Sequence, residues 1–276
     1  MTEREYNEAE GVRRSELWMM RESPEKYLYA KTHPDTEPTP ALQFGAMVHK
    51  LLLEPETFGE EYVVAPDVDR RTKAGKEAWN AVVEQAAAEG KTVMTVEDFA
   101  RATDMVEAVK RHPIANRLIN GPGKHEEALF WTDEDTGIKC KVRLDALVGK
   151  GKDMMVVDYK TAADAKTDVV SRMIFRYGYH VQSHMYTHAT KVNYGLKERP
   201  PFILVVQEKK PPYAVNVIQL TEDVVLAGED DFRLYIGMLH QCQETGYFYG
   251  YNGAFNEVNE AYLPGYVQIG KEEEEE

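Results

Sequence analysis

The run Val142-Arg143-Leu144-Asp145-Ala146-Leu147, followed across a glycine-rich turn by Met154-Met155-Val156-Val157-Asp158-Tyr159-Lys160, decides how this chain is read. Side chains two apart on a strand share a face, so Asp158 and Lys160 stand side by side at the end of an apolar run. Upstream, Ile138 to Leu147 alternates Lys139, Lys141, Arg143 and Asp145 with Cys140, Val142, Leu144 and Ala146. That pattern predicts a strand with one polar face aimed at something and one apolar face. Gly149-Lys150-Gly151-Lys152-Asp153 predicts a hairpin turn, which makes Asp145 and Asp158 neighbours across an antiparallel pair.

Two carboxylates that close repel unless a cation lies between them. Hard oxygen ligands favour Mg²⁺, with Mn²⁺ as a substitute. Lys160 adds an ammonium able to orient an attacking water or to stabilise charge on a phosphate in the transition state. A D-x-K triplet is common by chance, and a solvent-facing hairpin edge has the same composition. Two further segments narrow the choice. Gly45-Ala46-Met47-Val48-His49-Lys50-Leu51-Leu52-Leu53-Glu54-Pro55 puts Gly45 and His49 on one helical face, where the missing side chain lets the helix approach a sheet and the imidazole serves as a metal ligand. Gln182 and Tyr186 likewise share a helical face, offering an amide and a phenol to hold Lys160 or a phosphate.

Taken in order, Gly45-x-x-x-His49, Asp145, Asp158-Tyr159-Lys160 and Gln182-x-x-x-Tyr186 resemble the RecB-like branch of the PD-(D/E)xK nuclease superfamily. His49 to Pro55, the Asp69-Arg70-Arg71-Thr72-Lys73-Ala74-Gly75-Lys76 segment and the Gln182/Tyr186 helix are most similar to the RecE-like family, exodeoxyribonuclease VIII. The resemblance runs from residue 45 to 186, about half of the chain. It implies an α/β fold with a restriction-endonuclease-like core, a central mixed sheet flanked by helices, and a helical N-terminal region. It implies His49, Asp145, Asp158 and the Tyr159 carbonyl as Mg²⁺ ligands, and Asp145, Asp158, Lys160, Gln182 and Tyr186 as the catalytic set. It also implies 5′-to-3′ digestion of one strand of linear double-stranded DNA by a ring-shaped homo-oligomer, leaving a 3′ single strand for a strand-annealing recombinase. Neither polarity nor ring is read from composition or spacing. Another PD-(D/E)xK endonuclease, a hydrolase of small phosphates and a non-catalytic module binding DNA ends or a recombinase are the other readings.

Composition excludes several cofactors. An iron–sulphur cluster needs four cysteines, whereas the chain has only Cys140 and Cys242, and Ser23-Pro24 stands where such relatives place a cysteine before proline. Lys73-Ala74-Gly75-Lys76-Glu77 lacks the first glycine and the hydroxyl residue of a P-loop, so no ATP is expected. No apolar run has the length of a membrane span, Met1-Thr2-Glu3-Arg4-Glu5 is no signal region, and two distant cysteines fit a reducing cytoplasm. The net charge of −14 argues against non-specific DNA coating; five of those charges belong to the Glu272 to Glu276 tail. The clearest basic cluster is Arg70, Arg71, Lys73 and Lys76 at a predicted helix start, a candidate phosphate-binding site.

The 276 residues are expected to form a single nuclease domain over 1–271. Within it, 1–120 is mainly helical and carries His49, 121–220 is the sheet core, 221–250 is a C-terminal helix, and 272–276 is an acidic tail. Expected helices are 3–31, with Ser15 as a cap, then 73–89, 96–111, the Gln182 helix and 222–245. Prolines 34, 38 and 40 form a linker. Strands are expected over 124–132, 138–147, 154–160, 202–206 and 214–218. His180, His184 and His188 fall at helical spacing about 160 degrees from Gln182, which predicts a partly exposed face rather than a zinc site. Glu126 or Glu127 reaches the metal or ends a strand in solvent. Tyr247, Phe248, Tyr249 and Tyr251 are expected in core packing or an oligomer contact rather than on bases.

Overall fold

The computed structural model describes residues 1–33 and 39–264. Its N-terminal part is helical: α1 (Glu3–Glu8), α2 (Arg14–Met19), α3 (Pro24–Thr32), α4 (Pro40–Leu53), α5 (Phe58–Glu61), α6 (Lys73–Glu89), α7 (Val96–Arg111) and α8 (Pro113–Ile119). β1 (Tyr62–Val64) and β2 (Thr92–Met94) form a small parallel pair beside them. Thr39, Thr72 and Thr95 each accept a backbone N–H at the starts of α4, α6 and α7, which fixes where those helices begin.

The main sheet follows: β3 (Gly123–Thr132), β4 (Lys139–Val148), β5 (Met155–Ala162), β6 (Phe202–Glu208) and β7 (Val215–Gln219), in that spatial order. β5 and β6 are parallel and the other pairs antiparallel, so the sheet is mixed. α9 (Thr167–Arg176) and α10 (Tyr179–Tyr194) make the crossover between the parallel strands, and α11 (Glu222–Thr245) closes the fold. One core joins the sheet to α2, α10 and α11 through Leu17, Leu144, Met185, Phe202 and Phe232. A second joins its other face to α4, α7 and α8 through Val48, Met105, Ile119, Val157 and Val205. Both faces of the central strands are therefore apolar, as strands buried on both sides require.

Four sequence expectations need correction. The single helix over 3–31 is three short ones: Gly11 adopts φ +140°, Ser15 lies inside α2, and Ser23 caps α3. The regular alternation of 138–147 inverts near Asp145, because Val142 and Leu144 pack into the first core while Ala146 and Val148 pack into the second. Lys141 is buried, and its ammonium donates to the carbonyls of Tyr6, Asn7 and Ala9 at the end of α1 rather than facing a ligand. Two members of the histidine stripe, His180 and His184, are also inside, while His188 is half-buried. His180 Nδ1 lies 3.2 Å from the Ile174 carbonyl oxygen and its Nε2 2.8 Å from Asp231 Oδ2, and His184 is fully enclosed. Their burial follows from Gly228, whose position brings α11 so close to α10 that a Cβ would lie 2.0 Å from the His180 carbonyl oxygen. Pro40 is the first residue of α4; Pro34, Pro38 and the acidic tail lie outside the described residues.

Candidate active site

Asp145 and Asp158 meet where β4 and β5 part. The ladder between these strands runs from Val148 and Met155 to Ala146 and Val157, so the next facing pair would be Asp145 and Asp158. There it stops. In place of a backbone pairing, Asp145 Oδ2 accepts the Tyr159 N–H at 2.7 Å and faces His49 Nε2 at 3.1 Å. Across the other edge of β4, the ladder pairs His125 with Ala146 and Glu127 with Leu144 but omits Glu126, whose φ of +51° is uncommon for a residue with a side chain. That turn of the backbone aims the Glu126 carboxylate at the fork. Its Oε1 lies 3.6 Å from His49 Nδ1, too far for a hydrogen bond, and is buried without any partner.

His49, Glu126 and Asp145 thus offer ligand atoms that all lie within 4.8 Å of one another, the one such group among the described residues. Imidazole and two carboxylates suit a divalent cation, and the buried Glu126 Oε1, which accepts no hydrogen bond, is an oxygen such an ion would satisfy. Asp158 is engaged otherwise. Its Oδ1 accepts from Gln182 Nε2 at 2.6 Å, and its Oδ2 lies 2.7 Å from the Lys160 ammonium. Gln182 therefore holds the aspartate, not the lysine or a phosphate, in this state. Tyr186 packs beside Phe202 and, among the described residues, makes no hydrogen bond to Lys160. Tyr159 turns its side chain to the other face, where its hydroxyl donates to Gln207 at 2.5 Å, while its backbone stays at the fork.

The charges are mutually dependent. Burial opposes a charge on His49, but Asp145 and Glu126 outweigh it and lift the imidazole to about 9. Its protonated form is thus favoured by the acids on either side of it. Burial likewise opposes the Asp145 charge, yet His49, Lys160 and the Tyr159 N–H hold its carboxyl below the usual range. Asp158 goes the other way, pushed up to about 6 by burial and by Asp145 despite the neighbouring ammonium. Burial also leads in raising Glu126 to about 7. Burial works against the Lys160 ammonium, but Asp158 and Asp145 keep it protonated above its ordinary value. In this state Lys160 is a charged hydrogen-bond donor and not a base.

The fork opens on a cleft of about 290 Å³ lined by Asn7, Arg13, His49, Glu126, Arg143 and Asp145. It shares Glu54, Glu126 and Arg143 with a neighbouring cavity of about 600 Å³. A cavity of about 640 Å³ at the start of β6 and α11 contains none of these residues. The Arg70 cluster lines neither part of the cleft. Arg71 is paired with Asp69, Lys73 with Glu77, and Arg70 lies over the Trp79 ring at 4.4 Å. A Cβ at Gly45 would meet Thr161 Oγ1 at 3.7 Å, an ordinary contact, so the approach of α4 to the sheet does not itself demand glycine.

Residues 14–259 match the model of a family described as a PDDEXK-like domain of unknown function, DUF3799. The chain belongs to this family. A crystal structure from Eubacterium rectale, named as a candidate exonuclease, is similar over 96% of both chains at 14% identity with a TM-score of 0.61. At that identity the likeness shows the fold, a PD-(D/E)xK restriction-endonuclease-like α/β core. SSO0001 is similar over 68% of this chain at 16% identity and a TM-score of 0.29, too low to weigh. No curated protein sequence matches. The fork brings together Asp145, Asp158 and Lys160, the two acids and the lysine singled out in the sequence. Glu126 and Arg143 lie beside them, and the sequence alone left the first open and placed the second on the polar face of its strand without a role. The available signal was strand parity, since Arg143 lies two residues from Asp145.

Proposed function

We propose that this protein is a divalent-cation-dependent deoxyribonuclease that degrades one strand of linear duplex DNA from its 5′ end. The observation that carries the reading is the convergence of His49, Glu126 and Asp145 beside the Asp158–Lys160 pair, at the fork between β4 and β5. A cation held by His49, Asp145, Asp158 and the Tyr159 carbonyl would supply Lewis-acid polarisation of the scissile phosphate. Lys160 then offers a charged donor to the attacking water or to the phosphate oxygens, Gln182 fixes the orientation of Asp158, and Tyr186, one turn further along α10, belongs to the same site.

Mg²⁺ as the ion, 5′-to-3′ polarity, a ring-shaped homo-oligomer, a strand-annealing recombinase as partner and a cytoplasmic site of action follow the resemblance to RecE-like exonucleases. One fold over 1–271 would carry the whole activity. No described helix is long and apolar enough to cross a membrane. Matched linear and closed circular duplexes, labelled at either end and incubated with Mg²⁺ or chelator, test the reading. The expected result is metal-dependent loss of the linear form alone, starting at the 5′ label. Cutting of the circle makes the protein an endonuclease, and no cutting of either makes it a binding module.

A further inference from the structure

Arg143 has three acidic partners and no evident reason to be there. Its Nε lies 2.6 Å from Glu126 Oε2, its Nη2 donates to Glu54 Oε1 at 3.3 Å, and its Nη1 is 4.0 Å from Glu3. The Nε contact is close but poorly aligned, since Arg143 Nε is buried without a hydrogen bond. A guanidinium that needed only charge compensation could take it from Glu54. Instead it occupies one oxygen of Glu126 while the other, Oε1, points at His49 and accepts nothing. Glu126 thus gives one oxygen to a permanent cation and turns the other toward His49 and Asp145, and it is held there by an uncommon backbone angle. Arg143 lines both parts of the cleft that leads from the fork.

We propose that Glu126 is a metal ligand, and that its recruitment by the cation frees Arg143 to hold a DNA phosphate in the cleft. The Arg143 half rests on the nuclease reading; the Glu126 half does not. Guanidinium suits the second role because its planar donor fork matches phosphate oxygens and is never deprotonated. The consequence is thermodynamic coupling. Each ligand removes the competitor of the other, so metal tightens DNA binding and DNA tightens metal binding by the same factor.

Two binding experiments separate the parts. Calorimetry with Mn²⁺ reads metal affinity, and fluorescence anisotropy of a labelled linear duplex reads DNA affinity in chelator and in Ca²⁺, used as a cation poor in supporting hydrolysis. Wild-type protein is expected to bind duplex ~10-fold tighter in Ca²⁺ than in chelator. Glu126→Gln should weaken Mn²⁺ binding ~10- to 100-fold. In chelator it should bind DNA more tightly than wild type, because Arg143 has lost its closest carboxylate competitor and keeps only the longer contacts to Glu54 and Glu3, a gain no merely structural residue would give. Arg143→Gln should bind Mn²⁺ at least as well as wild type and lose the Ca²⁺-dependent gain. Arg143→Lys, which keeps the charge, should restore part of it, and thermal melting checks that all variants fold. Unchanged Mn²⁺ affinity in Glu126→Gln overturns the ligand assignment. An intact Ca²⁺ effect in folded Arg143→Gln overturns the release. If wild type binds Mn²⁺ through Glu126 but binds no duplex under either condition, the nuclease reading and the Arg143 role fall together while the ligand assignment stands.

Discussion

At the residue scale, the site stores unfavourable electrostatics that its chemistry would use. Asp158 is almost inaccessible to solvent, and its carboxyl is pushed up to about 6 by burial and by Asp145. A folded-state value above the unfolded one means that the ionised form costs stability. The penalty is absent below the unfolded value of 3.8, grows as pH rises through about 6, and is complete at neutral pH. The shift corresponds to about 3 kcal/mol. Asp158→Asn keeps an acceptor for Gln182 and removes the charge, so the metal-free variant should melt several degrees higher than wild type at pH 7.5, with the gain fading below pH 6, while cleavage is lost. Equal or lower melting at pH 7.5 would show that Lys160 fully compensates the buried acid. Lys160→Ala should slow cleavage ~10²- to 10³-fold through loss of one charged donor. Survival of normal turnover in that variant would remove Lys160 from the chemistry.

At the element scale, what the sequence made legible was what local rules govern. Helical patterning placed α6, α7 and α11 at their observed spans, and apolar runs and alternation placed the five strands of the main sheet. What escaped depends on distant chain. Nothing near Lys141 announces that its ammonium will cap α1, more than a hundred residues away. The buried His180 and His184 of α10 depend in the same way on α11, whose Asp231 and Phe232 meet them. These long-range contacts give separate tests. Lys141→Ala leaves the carbonyls of Tyr6, Asn7 and Ala9 without their shared donor, a loss of about 1–3 kcal/mol. Amide exchange over residues 1–12 should accelerate more than in β5; uniform acceleration would mean that α1 is not a separable unit.

At the scale of the whole molecule, a net charge of −14 must be reconciled with a polyanionic substrate. Duplex affinity falls with salt in proportion to the phosphates neutralised, so the number of cations engaged can be counted from the slope of log affinity against log salt, about −0.9 for each. Many basic side chains here are already matched with acids: Arg71 with Asp69, Lys73 with Glu77, and Lys50 with both Glu54 and Glu61. With contacts confined to the cleft and the start of α6, the slope per chain in Ca²⁺ should be no steeper than about −4. Arg70, stacked on Trp79 instead of ion-paired, is the member of its cluster with most to offer. If the start of α6 does receive a phosphate, Arg70→Gln should flatten the slope by about 0.9 and leave Mn²⁺ affinity unchanged, because none of that cluster lines the cleft. An unaltered slope would leave Arg70 as packing for Trp79 and confine DNA contacts to the cleft. A slope much steeper than −4 in wild type would instead require cations contributed by several subunits around one duplex, as a ring would supply.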